Sequence, residues 1–146
     1  MFKRILIPTD GSPLATKAAR AGISLAKTLG ARVVGCYVVE VVQPVFGARA
    51  MISQQMIDEF NQSNRDAGQR HVDALGKIAA RLGVPFTPVV SRDQPPHAGI
   101  ANVAKKHKCD VIFMGTHGRS GLNKLMMGSV AQRVLTHSAL PVLVYR

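Results

Sequence analysis

The 146-residue sequence predicts an α/β sandwich with a parallel sheet. Three observations carry that prediction. Five short apolar runs alternate with four stretches of helical periodicity. The run Val111-Ile112-Phe113-Met114 is apolar at every position, as a strand covered on both faces requires. The loops after the first and fourth runs are dense in glycine and small polar residues, and ligands of such sheets bind beyond the carboxyl ends of strands where strand order reverses.

Taken in order, Ile5-Leu6-Ile7 is the first strand, stopped by Pro8-Thr9-Asp10-Gly11-Ser12. Ser12 can cap the following helix, with Pro13 at its first position. Ala15, Ala18, Ala19, Gly22, Ile23, Ala26 and Leu29 then form a stripe of mostly small residues that lets this helix lie close to the sheet, and Gly30 is placed to end it. The β-rich run from Val33 to Val39 is the second strand. Residues 43 to 50, with Pro44 and Gly47, read as a loop. A long helix follows, its apolar stripe starting at Ile52, Met56 and Phe60 and resuming at Leu75, Ile78 and Leu82 before Gly83. Between them the stripe passes through Asn64, Ala67 and His71, which predicts a solvent-facing middle or a bend near Gly68.

Phe86 to Val90 is the third strand, and Pro88 suggests an edge. Pro95-Pro96 opens a shorter helix carrying Ile100, Val103 and Ala104. After the fourth strand and its glycine-rich loop, Met127, Val130, Ala131 and Val134 mark a last helix, and Leu140 to Tyr145 is the closing strand. No composition break suggests a linker, so residues 1–146 are expected to form a single domain.

Composition narrows the function classes. With 47% apolar residues the chain is not expected to be disordered, and no apolar run approaches the length of a membrane span. The start is too short in apolar residues for a signal-peptide core, and Cys36 and Cys109 form no CxxC pair, so a reduced, cytoplasmic protein is expected. Lys and Arg exceed Asp and Glu by 19 to 8, a net charge of +11. The basic residues are scattered, densest at Lys105-Lys106-His107-Lys108, with no aromatic interleaving, which reads as a solvated surface rather than a nucleic-acid platform. A polyanion-binding module driven by this charge is the alternative.

The residues from Gly115 to Val130 point to phosphate. Gly115 and Gly118 permit close backbone approach, and Gly128-Ser129 opens a helix whose free N–H groups favour an anion. Ser129 adds a hydroxyl, and Arg119 and Lys124 add positive charge. A glycine-rich turn that merely caps a helix would read the same way. Neither a P-loop nor a G-x-G-x-x-G after the first strand is present. Asp10, just past the first strand, can accept hydrogen bonds from ribose hydroxyls, or can simply be a turn aspartate. Against phosphates it would need an intervening divalent cation. The five histidines have no metal-ligand spacing with either cysteine, and His117 reads as a loop residue. Cys36 and Cys109 read as packing residues, and Met126-Met127 as helix-core residues. Val142-Leu143-Val144 would be an apolar sheet edge that invites pairing with a second copy.

Pro8-Thr9-Asp10-Gly11-Ser12, the late motif Gly115-x2-Gly118-x9-Gly128-Ser129 and the terminal Pro-Val-Leu-Val strand together resemble the universal stress protein family, over almost the whole chain. The resemblance implies a Rossmann-like, adenine nucleotide alpha hydrolase-like open sheet of five parallel strands in the order 3-2-1-4-5, with helices on both faces. It also implies the ATP-binding branch of the family. In that reading Gly115, Gly118, Gly128, Ser129 and Val130 hold phosphates and ribose, with Arg119 supplying charge beside them. Asp10 meets the ribose, the Val38 backbone meets adenine, and Pro8, Thr9 and Met114 line the base pocket. The resemblance further implies ATP, with or without Mg²⁺, as ligand, a stress-response sensor acting through conformation and partner contact, and a homodimer through the terminal strand. A slow ATPase or nucleotidyl-transfer relative is the other alternative, although no water-positioning base is evident. Two departures stand out: Asp93-Gln94-Pro95-Pro96 replaces the family's frequent Gly-x-Pro, and the chain is basic beside many acidic relatives.

Overall fold

A computed structural model describes residues 1–41, 53–116 and 127–146. Strands β1 (Arg4–Pro8), β2 (Arg32–Val38), β3 (Phe86–Ser91), β4 (Val111–Gly115) and β5 (Val142–Tyr145) alternate with helices α1 (Pro13–Leu29), α2 (Gln54–Leu82), α3 (Pro96–Lys106) and α4 (Ser129–His137). The strands pair in parallel in the order β3-β2-β1-β4-β5, as expected. Pro88 does lie on an edge strand, where its missing N–H costs no ladder bond.

The alternation of side chains along β1 builds the two halves of the core. Ile5 and Ile7 join Ile23 of α1, Leu75 and Ala79 of α2, and Val33, Val111 and Phe113. Leu6 points the other way, into Ile100 and Val103 of α3, Ala131 and Val134 of α4, and Val34, Cys36 and Ile112. Helices therefore cover both faces of the central strands.

Local chemistry sets the ends of α1. Ser12, in extended conformation, accepts a hydrogen bond from the Ala15 N–H at 3.1 Å, and Pro13 follows it. At the other end Gly30 adopts φ +64°, which satisfies the last carbonyls in a left-handed cap. Replacing Ser12 by Ala is expected to cost about 1 kcal/mol in urea denaturation, the usual value of a lost side-chain cap.

Three expectations need correction. The middle of α2 does not face solvent: Gly68 and Val72 are buried, and Tyr37 packs so closely on Gly68 that an added Cβ would lie 2.6 Å from its ring. The helix is continuous across Gly68. Its exposed part is instead the amino-terminal third, where Met56 and Phe60 are 57% and 51% exposed and only Ile57 of the first turns is buried. A glycine can be a buried contact point as well as a break, and stripe-counting by apolar side chains misses it. Met127 is likewise not a core residue of the last helix, since α4 starts at Ser129 and Met127 is 41% exposed. The predicted loop over 43–50 and Met126 lie outside the described residues. Strand limits differ by one or two residues: Val39 and Leu140 fall outside β2 and β5.

Candidate functional site

The strand order reverses at β1, which has β2 on one side and β4 on the other. Pairing between β1 and β2 runs from Arg4↔Arg32 to Pro8↔Cys36, whereas pairing between β1 and β4 stops at Leu6↔Ile112. The carboxyl ends of β1 and β4 are therefore not held to each other by a ladder, which is the place where an open sheet admits a ligand.

On the β1 side, Pro8 ends the strand and the Thr9 N–H still donates to the Cys36 carbonyl at 2.8 Å. Thr9 is buried, and its hydroxyl accepts from the Gly11 N–H at 3.1 Å. The Asp10 carboxylate accepts from the Ser12 N–H at 3.0 Å, an Asx turn that fixes the side chain just beyond the strand. Gly11 has φ +79°, and a Cβ there would fall 2.3 Å from the His71 ring. That ring stacks on Tyr37 of β2 with centroids 5.6 Å apart. The Asp10 turn thus rests on a layer of His71 and Tyr37. Sequence reasoning missed this support, although the Asn64, Ala67, His71 break in the α2 stripe was its trace.

On the β4 side, Met114 is buried, Gly115 is half-buried, and Thr116 donates its N–H to the Tyr145 carbonyl at 3.0 Å. The Thr116 carbonyl in turn accepts from the Gly128 N–H at 2.7 Å. This bond brings Gly128, the N-cap of α4, to the end of β4. Gly128 has no side chain with which to cap the helix, so the first-turn N–H groups at Ser129 and Val130 carry the positive end of the helix dipole without a local anion. No acidic residue stands in that turn. Such an end suits a phosphate.

Val38 closes β2, and its side chain would lie 2.9 Å from a Cβ added to Gly99 of α3. Beside it is a polar rim that sequence reasoning did not assign. The buried Ser91 hydroxyl donates to Asp93 at 3.1 Å, Asn102 donates to the same carboxylate oxygen, and Gln94 donates to the Val39 carbonyl at 2.6 Å. Here the departure Asp93-Gln94-Pro95-Pro96 forms an ordered connection from β3 into α3.

The structure thus puts Pro8, Thr9 and Asp10 at the end of β1, Met114 and Gly115 at the end of β4, Gly128, Ser129 and Val130 against it, and Val38 at the end of β2. Gly118 and Arg119, with His117 and Lys124, lie outside the described residues. The cysteines do not offer a nucleophile: burial pushes the Cys36 thiol up to about 12 and the Cys109 thiol up to about 11. Among the described residues no group of three or more His, Cys, Asp or Glu is placed to hold a metal. The hollow between α2 and β3 lined by Val84 and Phe86 lies at the amino end of β3, away from these loops.

Comparison with known proteins agrees with this fold. The model of the universal stress protein family matches residues 1–146. Universal stress protein MJ0531 of Methanocaldococcus jannaschii is 37% identical over 146 residues, covering 100% of this chain and 83% of that protein. Among solved structures, MJ0577 of the same organism superposes with a TM-score of 0.81 at 24% identity, covering 99% of this chain and 95% of the other. Two further universal stress proteins of the same fold were solved in complex with nucleotides. One holds cAMP (TM-score 0.68, 18% identity), and one from Archaeoglobus fulgidus holds dAMP (TM-score 0.67, 16% identity), each covering 99% of this chain and 97% and 98% of the other respectively.

Proposed function

The chain belongs to the universal stress protein family, and we propose that it is a cytoplasmic nucleotide-dependent stress regulator that binds ATP between the ends of β1 and β4. Residues 1–146 act in this reading as one domain. The observation that carries it is the Gly128–Thr116 hydrogen bond, which sets the uncapped start of α4 against the end of β4, the strand beside β1 and its Asp10 turn. A triphosphate meets backbone N–H groups on one side, and a ribose meets a carboxylate on the other.

The roles follow from the chemistry of each group. Backbone N–H groups at Gly115, Gly118, Ser129 and Val130 and the Ser129 hydroxyl donate to phosphate oxygens, and Arg119 adds charge. Gly128, whose own N–H is held by the Thr116 carbonyl, lets the phosphates approach without a side chain in the way. Asp10, oriented by the Ser12 N–H, accepts from ribose hydroxyls. Pro8, Thr9 and Met114 line the base pocket, where the Val38 backbone reads adenine. The groups assigned to the phosphates are amides and hydroxyls rather than carboxylates, so a Mg²⁺ ion entering with ATP would find no carboxylate among them and would serve to neutralise phosphate charge. Adenine-nucleotide complexes of two proteins of this fold support the ligand class.

Occupancy is read out by contact. β5 is an edge strand with Leu143 partly exposed, and a second copy pairs through Val142 to Val144. Among the described residues no helix is long and apolar enough to cross a membrane. The protein partners are reached from solution.

The test is thermal unfolding with ATP, AMP or neither, with and without Mg²⁺. At a ligand concentration 100 times Kd, binding adds about 2.7 kcal/mol, a rise of several degrees in the midpoint. An unchanged midpoint at millimolar ATP and AMP overturns the reading. Turnover measured on the same samples separates a regulator from a slow ATPase.

A further inference from the structure

We propose that His97 and His137 form a two-imidazole site for a borderline transition-metal ion, Zn²⁺ or its neighbours, that ties α3 to α4. The proposal rests on neither the nucleotide crevice nor any residue assigned to it.

His97 stands in the first turn of α3 and His137 ends α4, yet their ring centroids are 5.3 Å apart, with the planes tilted by 40°. Two imidazoles bound to one tetrahedral ion at about 2.0–2.1 Å place their ring centres roughly 5 Å apart. The spacing is one that a chelate can take, as well as one at which two rings simply pack.

Tautomer supplies the second argument. His137 Nδ1 lies 2.9 Å from the Arg133 carbonyl. A backbone carbonyl only accepts, so Nδ1 carries the proton and the Nε2 lone pair is the one left for a ligand. Metal-binding histidines are commonly oriented in this way, by donating their other N–H to a carbonyl. Across the gap, the ring nitrogens of His97 have no hydrogen-bond partner among the described residues. His137 is exposed and His97 half-exposed, so an ion can reach both.

Charge decides which ion. Arg133 is one turn before His137, and the chain carries +11 overall. A hard cation held by charge, such as Mg²⁺ or Ca²⁺, gains nothing here and has no oxygen ligands among these two side chains. Zn²⁺, Ni²⁺ or Cu²⁺ bind neutral imidazole through its lone pair. Water completes the coordination sphere.

The experiment is titration of the nucleotide-free protein with Zn²⁺ alone by calorimetry, in parallel with His97→Ala, His137→Ala and, as a control, His107→Ala. One Zn²⁺ per chain is expected, with affinity lowered at least about tenfold in each of the first two variants and unchanged in the third. A hundredfold excess of Mg²⁺ is expected not to compete. Both variants are changes at solvent-accessible positions, and circular dichroism of each checks that the fold is kept. Zn²⁺ affinity equal to wild type in either His97→Ala or His137→Ala overturns the proposal, as does displacement of Zn²⁺ by Mg²⁺. Because no nucleotide is present, neither outcome bears on the crevice.

Discussion

Gly11→Ala is expected to destabilise the protein by about 2–5 kcal/mol and to weaken adenine-nucleotide binding at the same time. Two separate costs add. An L-residue at φ +79° carries the left-handed penalty of about 1–2 kcal/mol. The new methyl would also lie 2.3 Å from His71 Cε1 and Nε2, an overlap that forces the ring or the turn to move, at about 1–3 kcal/mol. His71 cannot swing away cheaply, because its ring stacks on Tyr37, and Tyr37 lies against Gly68.

A double-mutant cycle separates the two costs. In Gly11→Ala/His71→Ala the overlap is gone, so in a His71→Ala background the Gly11 change costs only its backbone penalty, and the pair couples by about 1–3 kcal/mol in urea denaturation. Nucleotide affinity should return in part with it, since the Asp10 turn can resume its place. Strict additivity of the two changes would mean that His71 does not bear on the turn at all.

That His71 layer marks where the sequence stopped being legible. Periodicity identified α1 because its buried face is made of residues that are apolar or small at every contact point, from Ala15 to Ala26. It identified β4 because both faces of that strand are covered. It misread α2 because two of the residues that touch the sheet there are a glycine and a histidine, Gly68 and His71, while two conspicuous apolar residues, Met56 and Phe60, are exposed. Hydrophobic counting weighs side chains and cannot see that a missing one makes room for Tyr37.

The same limit applies to the crevice. Asp10, Gly115 and Gly128 were visible as turn and helix-start signals, because those roles depend on residue type and local spacing. The hydrogen bond from Gly128 to Thr116 and the Ser91–Asp93–Asn102 rim were not, since they join segments through space. The paired His97 and His137, 40 positions apart and on different helices, belong to the same class.

Gly128→Asp should move stability and ligand affinity in opposite directions. Gly128 sits at φ −60° and ψ 146°, an extended conformation that any residue adopts, so the substitution brings no backbone strain. An aspartate at an N-cap accepts from the first-turn N–H groups and opposes the positive helix end, for a gain of about 0.5–1 kcal/mol over glycine. Those are the N–H groups assigned to the phosphates. The carboxylate would both occupy them and repel the ligand by about 3 kcal/mol at roughly 5 Å in an effective dielectric near 20. The expected result is a raised thermal midpoint without nucleotide and an affinity for ATP lowered by about 100-fold. The isosteric Gly128→Asn keeps the cap but not the charge, so it should retain most of the stability gain and recover part of the affinity. If ATP binds Gly128→Asp as tightly as wild type, the start of α4 does not hold the phosphates. A merely structural glycine would give the other pattern, with both quantities falling together.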